Sequence, residues 1–320
     1  MKTIDIVTSA YNEESALPIL YERLVTTMKQ ESNYQWRLII CENVSSDSTW
    51  EVICGLATRD SRVLGIRMAR NFLFDAAISC GLDQCSADLV VVMCSDLQDP
   101  PELISKFLRG YEQGYDHVVA KITKRDGLGL FRKPFVQIYY FLIEKASGGT
   151  VRRNVSDFRL MSKKLYEVVN QLRERKRFMR GLMSWPGFKT LEIPVQRPPR
   201  VSGSSKFAAT KFIDVFADAF ESLLAFSIKP LKFISFLGFG LSFVSFVSLI
   251  IFIVLVFTSG VPFAGFGTIV SLILVVLSTL LLSLGIIGRY VGLIYEETKL
   301  RPLYVIDKKV SNQLALNSEE

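Results

Sequence analysis

The sequence predicts an α/β domain with a mostly parallel sheet, followed by a hairpin of two membrane-spanning helices. Three observations carry that expectation. Short apolar runs alternate with stretches of helical periodicity from residue 4 to residue 120. Hydrophobic residues make up 49% of the 320, and the excess is local, because Phe233 to Gly288 contains no Asp, Glu, Lys or Arg. The five cysteines, Cys41, Cys54, Cys80, Cys85 and Cys94, are odd in number and lack paired spacing. They predict neither a disulfide framework nor a zinc site, and read as small buried apolar groups.

Strands are expected at 4–8, 37–41, 63–67, 89–93 and 117–120, where β-branched and aliphatic residues cluster. Between the first two, Leu17, Leu20, Leu24 and Met28 recur at helical spacing. Alternation of this kind gives a sheet covered on both faces, with ligands bound outside the carboxyl ends of its strands. After the first strand comes Tyr11-Asn12-Glu13-Glu14. An aromatic and carboxylates suit a nucleoside, while Asn12 and Glu14 equally suit helix capping. After the second strand, Glu42-Asn43-Val44-Ser45-Ser46-Asp47-Ser48-Thr49 offers further nucleotide contacts or a helix start.

The fourth strand runs into Cys94-Ser95-Asp96-Leu97-Gln98-Asp99-Pro100-Pro101-Glu102. Asp99 and the two prolines form a helix-start pattern with Asp99 as its cap. Asp96 has no such role and is the better metal-ligand candidate, with Gln98 beside it. Magnesium is commonly held by one or two carboxylates with phosphates and waters completing its shell, whereas a thiol such as Cys94 suits a hard cation poorly.

The charge-free run accommodates two spans, near 234–257 and 268–288, parted by Thr258-Ser259-Gly260-Val261-Pro262. Lys229 and Lys232 precede the first span, and Arg289, Lys299, Arg301, Lys308 and Lys309 follow the second. The positive-inside tendency places both termini and the large domain in the cytoplasm. Met1-Lys2-Thr3 leads straight into a short strand, too brief for a secretory h-region. The expected organisation is a soluble domain over 1–210, an amphipathic juxtamembrane helix over 211–232, two spans over 233–290 and a cytoplasmic tail over 291–320. Segments 130–145 and 211–228 mix aromatics with lysine and arginine, as interfacial helices do, or pack on the domain. The net charge of +7 suits anionic lipid and phosphate-bearing ligands. No nucleic-acid motif accompanies it, so no nucleic-acid partner is expected. His117, the one histidine, opens a strand and reads as structural. Arg173-Glu174-Arg175-Lys176-Arg177 reads as a solvated helix end.

Taken in order, Tyr11-Asn12-Glu13-Glu14, the turn at 42–49, Asp96 to Glu102 and Ser156-Asp157-Phe158-Arg159-Leu160-Met161 resemble family 2 glycosyltransferases. The likeness is to the polyisoprenyl-phosphate glycosyltransferases, the group of the dolichol-phosphate mannosyltransferases and bactoprenol glucosyltransferases. It implies a Rossmann-like, GT-A type nucleotide-sugar-binding domain in an inner plasma membrane protein. It further implies inverting transfer of a sugar, glucose from a UDP-sugar being the first expectation, to a polyprenyl phosphate. By the resemblance Tyr11, Glu13, Asn43 and Asp96 contact the nucleotide sugar, Asp96 and Gln98 hold Mg²⁺ or Mn²⁺, and Asp157 is the catalytic carboxylate.

Arg197, Arg200, Ser205 and Lys206 lie in a segment that resembles the one handling the acceptor phosphate. Arg177-Phe178-Met179-Arg180-Gly181 resembles a stretch near the site. The sequence departs from the family pattern at Glu42-Asn43, where an acidic pair is common. It departs also at Cys94, where a carboxylate is usual, and at Leu73, where glycine is usual. A phosphate monoester is largely dianionic at neutral pH, its second pKa being about 6, so Asp157 is expected to position the acceptor as much as to take a proton. The partners expected are the nucleotide sugar, the lipid phosphate, the membrane and a second copy of the chain. Two other readings are a processive polysaccharide synthase, for which two spans are few, and a non-catalytic nucleotide-sugar-binding scaffold.

Overall fold

The computed structural model describes residues 1–124, 154–175, 177–196 and 265–312, with isolated residues between 231 and 258. The chain divides into two compact units, one comprising Met1–Ala219 with Arg301–Glu320 and the other Phe220–Leu300.

In the first unit β1 (Lys2–Ala10), α1 (Ala16–Gln30), β2 (Tyr34–Glu42), α2 (Thr49–Arg59), β3 (Val63–Met68), α3 (Leu73–Asp83) and β4 (Leu89–Cys94) alternate as expected. Then come α4 (Leu103–Glu112), β5 (His117–Lys124), β6 (Val155–Ser162), α5 (Lys163–Gln171), the single turn α6 (Met179–Leu182) and β7 (Thr190–Gln196). After the second unit the chain returns as β8 (Ile306–Val310). The sheet order is β7-β5-β6-β4-β1-β2-β3-β8. Strands β4, β1, β2 and β3 form a parallel core, which β6 and β8 flank in antiparallel sense.

The central strands are covered on both faces, which explains their unbroken apolar runs: Ile6, Val7, Val90, Val91, Val92 and Met93 are all buried. Helix α1 buries the stripe Leu17, Leu20, Leu24 and Met28. At the amino end of β1 the buried Asp5 receives both nitrogens of a bidentate Arg37, each at 2.9 Å, together with the Ser86 and Ala87 N–H groups at 2.9 and 3.2 Å. Gly65 of β3 is a packing requirement. A Cβ there would stand 2.4 Å from Ile53 and 2.7 Å from Val310, so helix and return strand close on the sheet only over a glycine.

Three differences from the sequence reading concern elements. Residues after 300 do not form a separate tail, because β8 pairs with β3 and extends the sheet. Strands β6 and β7 were not legible as strands: the first is buried on both faces and includes Arg159, and the second contains Pro194, which an edge strand tolerates. The run from Arg173 is not a helix end. Helix α5 stops at Gln171, and Arg173 forks onto Asp83 with two contacts of 2.7 Å.

In the second unit α7 (Phe266–Thr298) begins close to the expected span and runs about ten residues beyond it, through Arg289, Glu296 and Glu297. Counting charges locates the apolar stretch, but helix-forming residues carry the helix on past it. Leu272, Ile273, Leu280, Leu281, Leu282 and Leu284 are exposed, and 275–298 is long and apolar enough to cross a membrane. Of the span expected at 234–257, the described residues are helical, with Phe236, Phe243, Phe246, Ile250 and Val254 exposed. The remaining residues of that span, the segments 130–145 and 211–228, and Arg197, Arg200, Ser205 and Lys206 lie outside the described residues.

Candidate functional site

β1 has β2 on one side and β4 on the other, so the direction of winding switches between β1 and β4. A crevice outside the carboxyl ends of the strands is the geometric consequence. Tyr11 and Glu13 sit at the end of β1 and Asp96 and Gln98 at the end of β4, all four partly buried. Ser9 pairs with Cys94 across the switch. The antiparallel register of β4 with β6, which matches Val92 to Arg159, brings Asp157 alongside Cys94 when continued by two residues. Three of the expected site segments therefore converge on one place.

The loop after β1 is laced to the loop after β2. The Asn12 N–H donates to Ser45 Oγ at 2.9 Å, and the Ser46 N–H donates to Asn12 Oδ1 at 2.9 Å. The Glu13 N–H donates to Thr49 Oγ1 at 2.8 Å, and the Ser48 N–H to Glu14 Oε2 at 2.9 Å. Asn12 and Glu14 are thus loop-binding residues rather than helix caps; Ser15 precedes α1 and makes no side-chain cap bond. Asn43, expected at the nucleotide, is buried and turned inward. Its amide donates to Ser9 Oγ at 3.1 Å and accepts from the Phe72 N–H at 3.2 Å, joining β1, β2 and the segment after β3. Buried Glu42 faces Arg67 at 3.4 Å and accepts the Ser45 N–H.

At the end of β4, Asp96 Oδ1 accepts the Gln98 N–H at 3.2 Å, closing a tight turn through Leu97 at φ +61°. Asp99 does not cap α4, which begins at Leu103 after Glu102. Its buried carboxylate accepts the Cys94 N–H at 3.2 Å and meets Ser156 Oγ at 3.4 Å, fastening β4 to β6. Among the described residues no group of three His, Cys, Asp or Glu side chains is arranged to hold a metal. The donor set of Asp96 and Gln98 nevertheless fits a hard divalent cation whose shell a diphosphate completes, since both offer oxygen.

Asp157 is held by Arg180 of α6 in a two-point fork, Nε to Oδ1 at 3.1 Å and Nη2 to Oδ2 at 2.5 Å. Both side chains are largely buried, at 19% and 23% exposure, so the pair retains an orienting value that an exposed pair lacks. Arg159, fully buried on β6, donates to the Ser156 and Asp157 carbonyls at 2.7 and 3.3 Å. Burial brings its guanidinium down to about 10. Asp75, in the first turn of α3, faces the same cluster. Burial of its carboxyl and the charge of Asp157 push it up to about 7, against the opposing pull of Arg180, the Met179 N–H and Arg177.

Sequence reasoning missed Asp75, and it noted the stretch around Arg180 without assigning Arg180 a role. An acid in a first helical turn reads as a dipole complement, and nothing local marks a partner about a hundred residues away. His117 is buried, with Nδ1 3.4 Å from Thr190 Oγ1 on the neighbouring edge strand, in keeping with a structural place.

Comparison with known proteins follows the same outline. The family described as Glycosyl transferase family 2 matches residues 5–169. A protein of Bacillus subtilis named uncharacterized glycosyltransferase YkcC is 34% identical over 95% of this chain and 93% of its own. The bactoprenol glucosyl transferase of Shigella phage SfX is 33% identical over 96% of this chain and 99% of its own. Among solved structures, glucosyl-3-phosphoglycerate synthase from Mycobacterium tuberculosis, in complex with Mn²⁺, UDP and phosphoglyceric acid, is 18% identical. It covers 70% of this chain and 77% of its own, with a TM-score of 0.45. A family match over half the chain, together with relatives similar along nearly all of it, makes this chain a member of glycosyl transferase family 2.

Proposed function

We propose that this glycosyltransferase moves a sugar from a nucleotide diphosphate, with UDP-glucose the first candidate, to a polyprenyl phosphate at the cytoplasmic face of the membrane. The observation that carries the reading is the Asp157–Arg180 pair beside the β1/β4 switch point, within arm's length in the fold of the Tyr11–Glu13 and Asp96–Gln98 turns. Similarity to relatives named bactoprenol glucosyl transferase supports the lipid acceptor, because it extends through the apolar second unit.

Tyr11 and Glu13 are assigned to the nucleotide. Asp96 and Gln98 would hold Mg²⁺ or Mn²⁺, which when bound supplies positive charge to the leaving diphosphate. Asp157, fixed by the Arg180 fork, directs the acceptor oxygen onto the anomeric carbon. The new bond forms from that oxygen as the bond to the diphosphate breaks, the electron pair leaves with the nucleoside diphosphate, and the configuration inverts. The acceptor is already an anion, so orientation is the larger contribution. Arg197, Arg200, Ser205 and Lys206 are assigned to the acceptor phosphate on family likeness and charge.

A connectivity argument supports two crossings. The chain on either side of the second unit, up to Ala219 and from Arg301, belongs to the first unit. If α7 crosses the bilayer, the return to the same domain requires a second crossing, and the apolar stretch 234–257 supplies it. The lysines and arginines flanking both stretches place the catalytic unit in the cytoplasm.

The test is transfer of labelled sugar from a panel of UDP- and GDP-sugars into polyprenyl phosphate by the purified full chain with Mg²⁺ or Mn²⁺. Lipid-linked product from one donor is expected, falling about 10²-fold or more in Asp157→Asn. Nucleotide-sugar binding without transfer from any donor would favour the non-catalytic reading instead.

A further inference from the structure

Helix α3 grips the short turn that carries Arg180. The Met179 N–H, first in α6, donates to the Asp75 carboxyl. One turn further along α3, Ser79 Oγ lies 3.4 Å from Met179 Sδ and also donates to the Asp75 carbonyl at 2.7 Å. From α6, Arg180 reaches back to both oxygens of Asp157. A continuous path thus leads from Asp75 through the start of α6 and the guanidinium to the carboxylate assigned to the reaction.

We propose that Asp75 is a positioning residue for glycosyl transfer, holding α6 so that the Arg180 fork fixes Asp157, with its own charge part of the field in which Asp157 works. This rests on the reading of Asp157 as the catalytic carboxylate. The charged groups facing Asp75 are Asp157 and Arg159 from β6 and Arg177 and Arg180 from the segment of α6. Two acids therefore share the field of three guanidinium groups, and a proton on Asp75 changes the balance around Asp157 without touching substrate. A residue with a purely structural role would lower the rate equally at all pH values. A residue acting through charge leaves an inflection that disappears when its carboxyl is replaced.

The experiment is the pH dependence of transfer by the full chain, from about pH 5.5 to 9, for wild type, Asp75→Asn, Asp75→Glu, Asp75→Ala and Asp157→Asn. The acceptor's own titration is common to all five. In Asp75→Asn the amide oxygen still accepts the Met179 N–H, so the donor KM is expected to hold while the inflection near neutrality vanishes. Asp75→Glu keeps that inflection. Asp75→Ala loses kcat at every pH, by about 10²-fold if α6 shifts by an ångström, again with little change in donor KM. Asp75→Asn reproducing the wild-type rate and profile would overturn the proposal. So would Asp75→Glu losing the inflection, which decides the matter if the Asn protein does not fold. Full activity in Asp157→Asn would instead overturn the catalytic assignment, a separate failure read from the same set.

Discussion

The two ends of the parallel sheet are built differently. At the carboxyl end each of the four parallel strands is followed within a few residues by a non-glycine residue at positive φ. These are Asn12 at 56° after β1, Val44 at 56° after β2, Leu73 at 68° after β3 and Leu97 at 61° after β4. The amino end shows no such residue, and its charged group, Asp5, is saturated by four donors. Left-handed backbone costs about 1–2 kcal/mol in an L-residue and is least at home in a β-branched side chain such as Val44. Strain of this kind is found where the surroundings over-determine a loop that must present groups to a ligand. Both ends also carry a bidentate carboxylate–arginine pair. The Asp5–Arg37 pair joins neighbouring strands and excludes further partners, whereas Asp157–Arg180 joins a strand to a one-turn helix beside a second acid. The first is a rivet and the second is an instrument.

Breaking the rivet gives the largest expected effect. Asp5→Ala leaves the part-buried Arg37 and two backbone donors without their acceptor and should cost about 3–5 kcal/mol in urea unfolding. The rate per folded molecule should barely change, the reverse of what Asp157→Asn does. Equal loss of rate in both would erase the distinction between the ends.

A smaller effect tests the second acid. Asp75 is raised in the folded chain from an ordinary value of 3.8 to about 7. The stability it contributes is therefore complete below about pH 4 and is lost as pH rises through 7. Asp75→Asn, neutral throughout, should melt with wild type at pH 4 and above it at pH 8, by about 2–4 °C for each kcal/mol of difference. A gap that is constant between the two pH values would show that Asp75 ionises as an ordinary carboxyl.

The smallest effect belongs to strain. Leu73 is 73% exposed at φ +68°, so its side chain gains little by burial. Leu73→Gly should raise stability by about 0.5–1 kcal/mol, the relief of left-handed strain less the entropy of glycine. A loss of stability would mean that the Leu73 side chain has a contact worth more than the strain.

Much of this architecture is legible from residue order. The strands β1 to β5 announce themselves because a doubly covered strand must be continuously apolar, and the apolar run of α7 because a bilayer tolerates no charge. The convergence of Tyr11, Asp96 and Asp157 is legible only through resemblance, since it depends on β6 lying beside β4. What escaped reading has a common cause. Asn43, Asp75 and Arg180 owe their roles to partners on other elements, and a side chain's surroundings are not written near it. Asp99 misled for the opposite reason: its neighbours Pro100 and Pro101 spell a helix start, yet its carboxylate answers to Ser156 on another strand.

The return strand β8 carries one last consequence, concerning the order in which the protein is made. Ile306–Val310 follows α7 in the chain, so it leaves the ribosome after the apolar unit. Until then the outer edge of β3 presents unpaired N–H and C=O groups, and the gap over Gly65 waits for Val310. The catalytic sheet is therefore finished by the piece synthesised after the segment destined for lipid. Translation order thus ties completion of the domain to prior synthesis of its anchor.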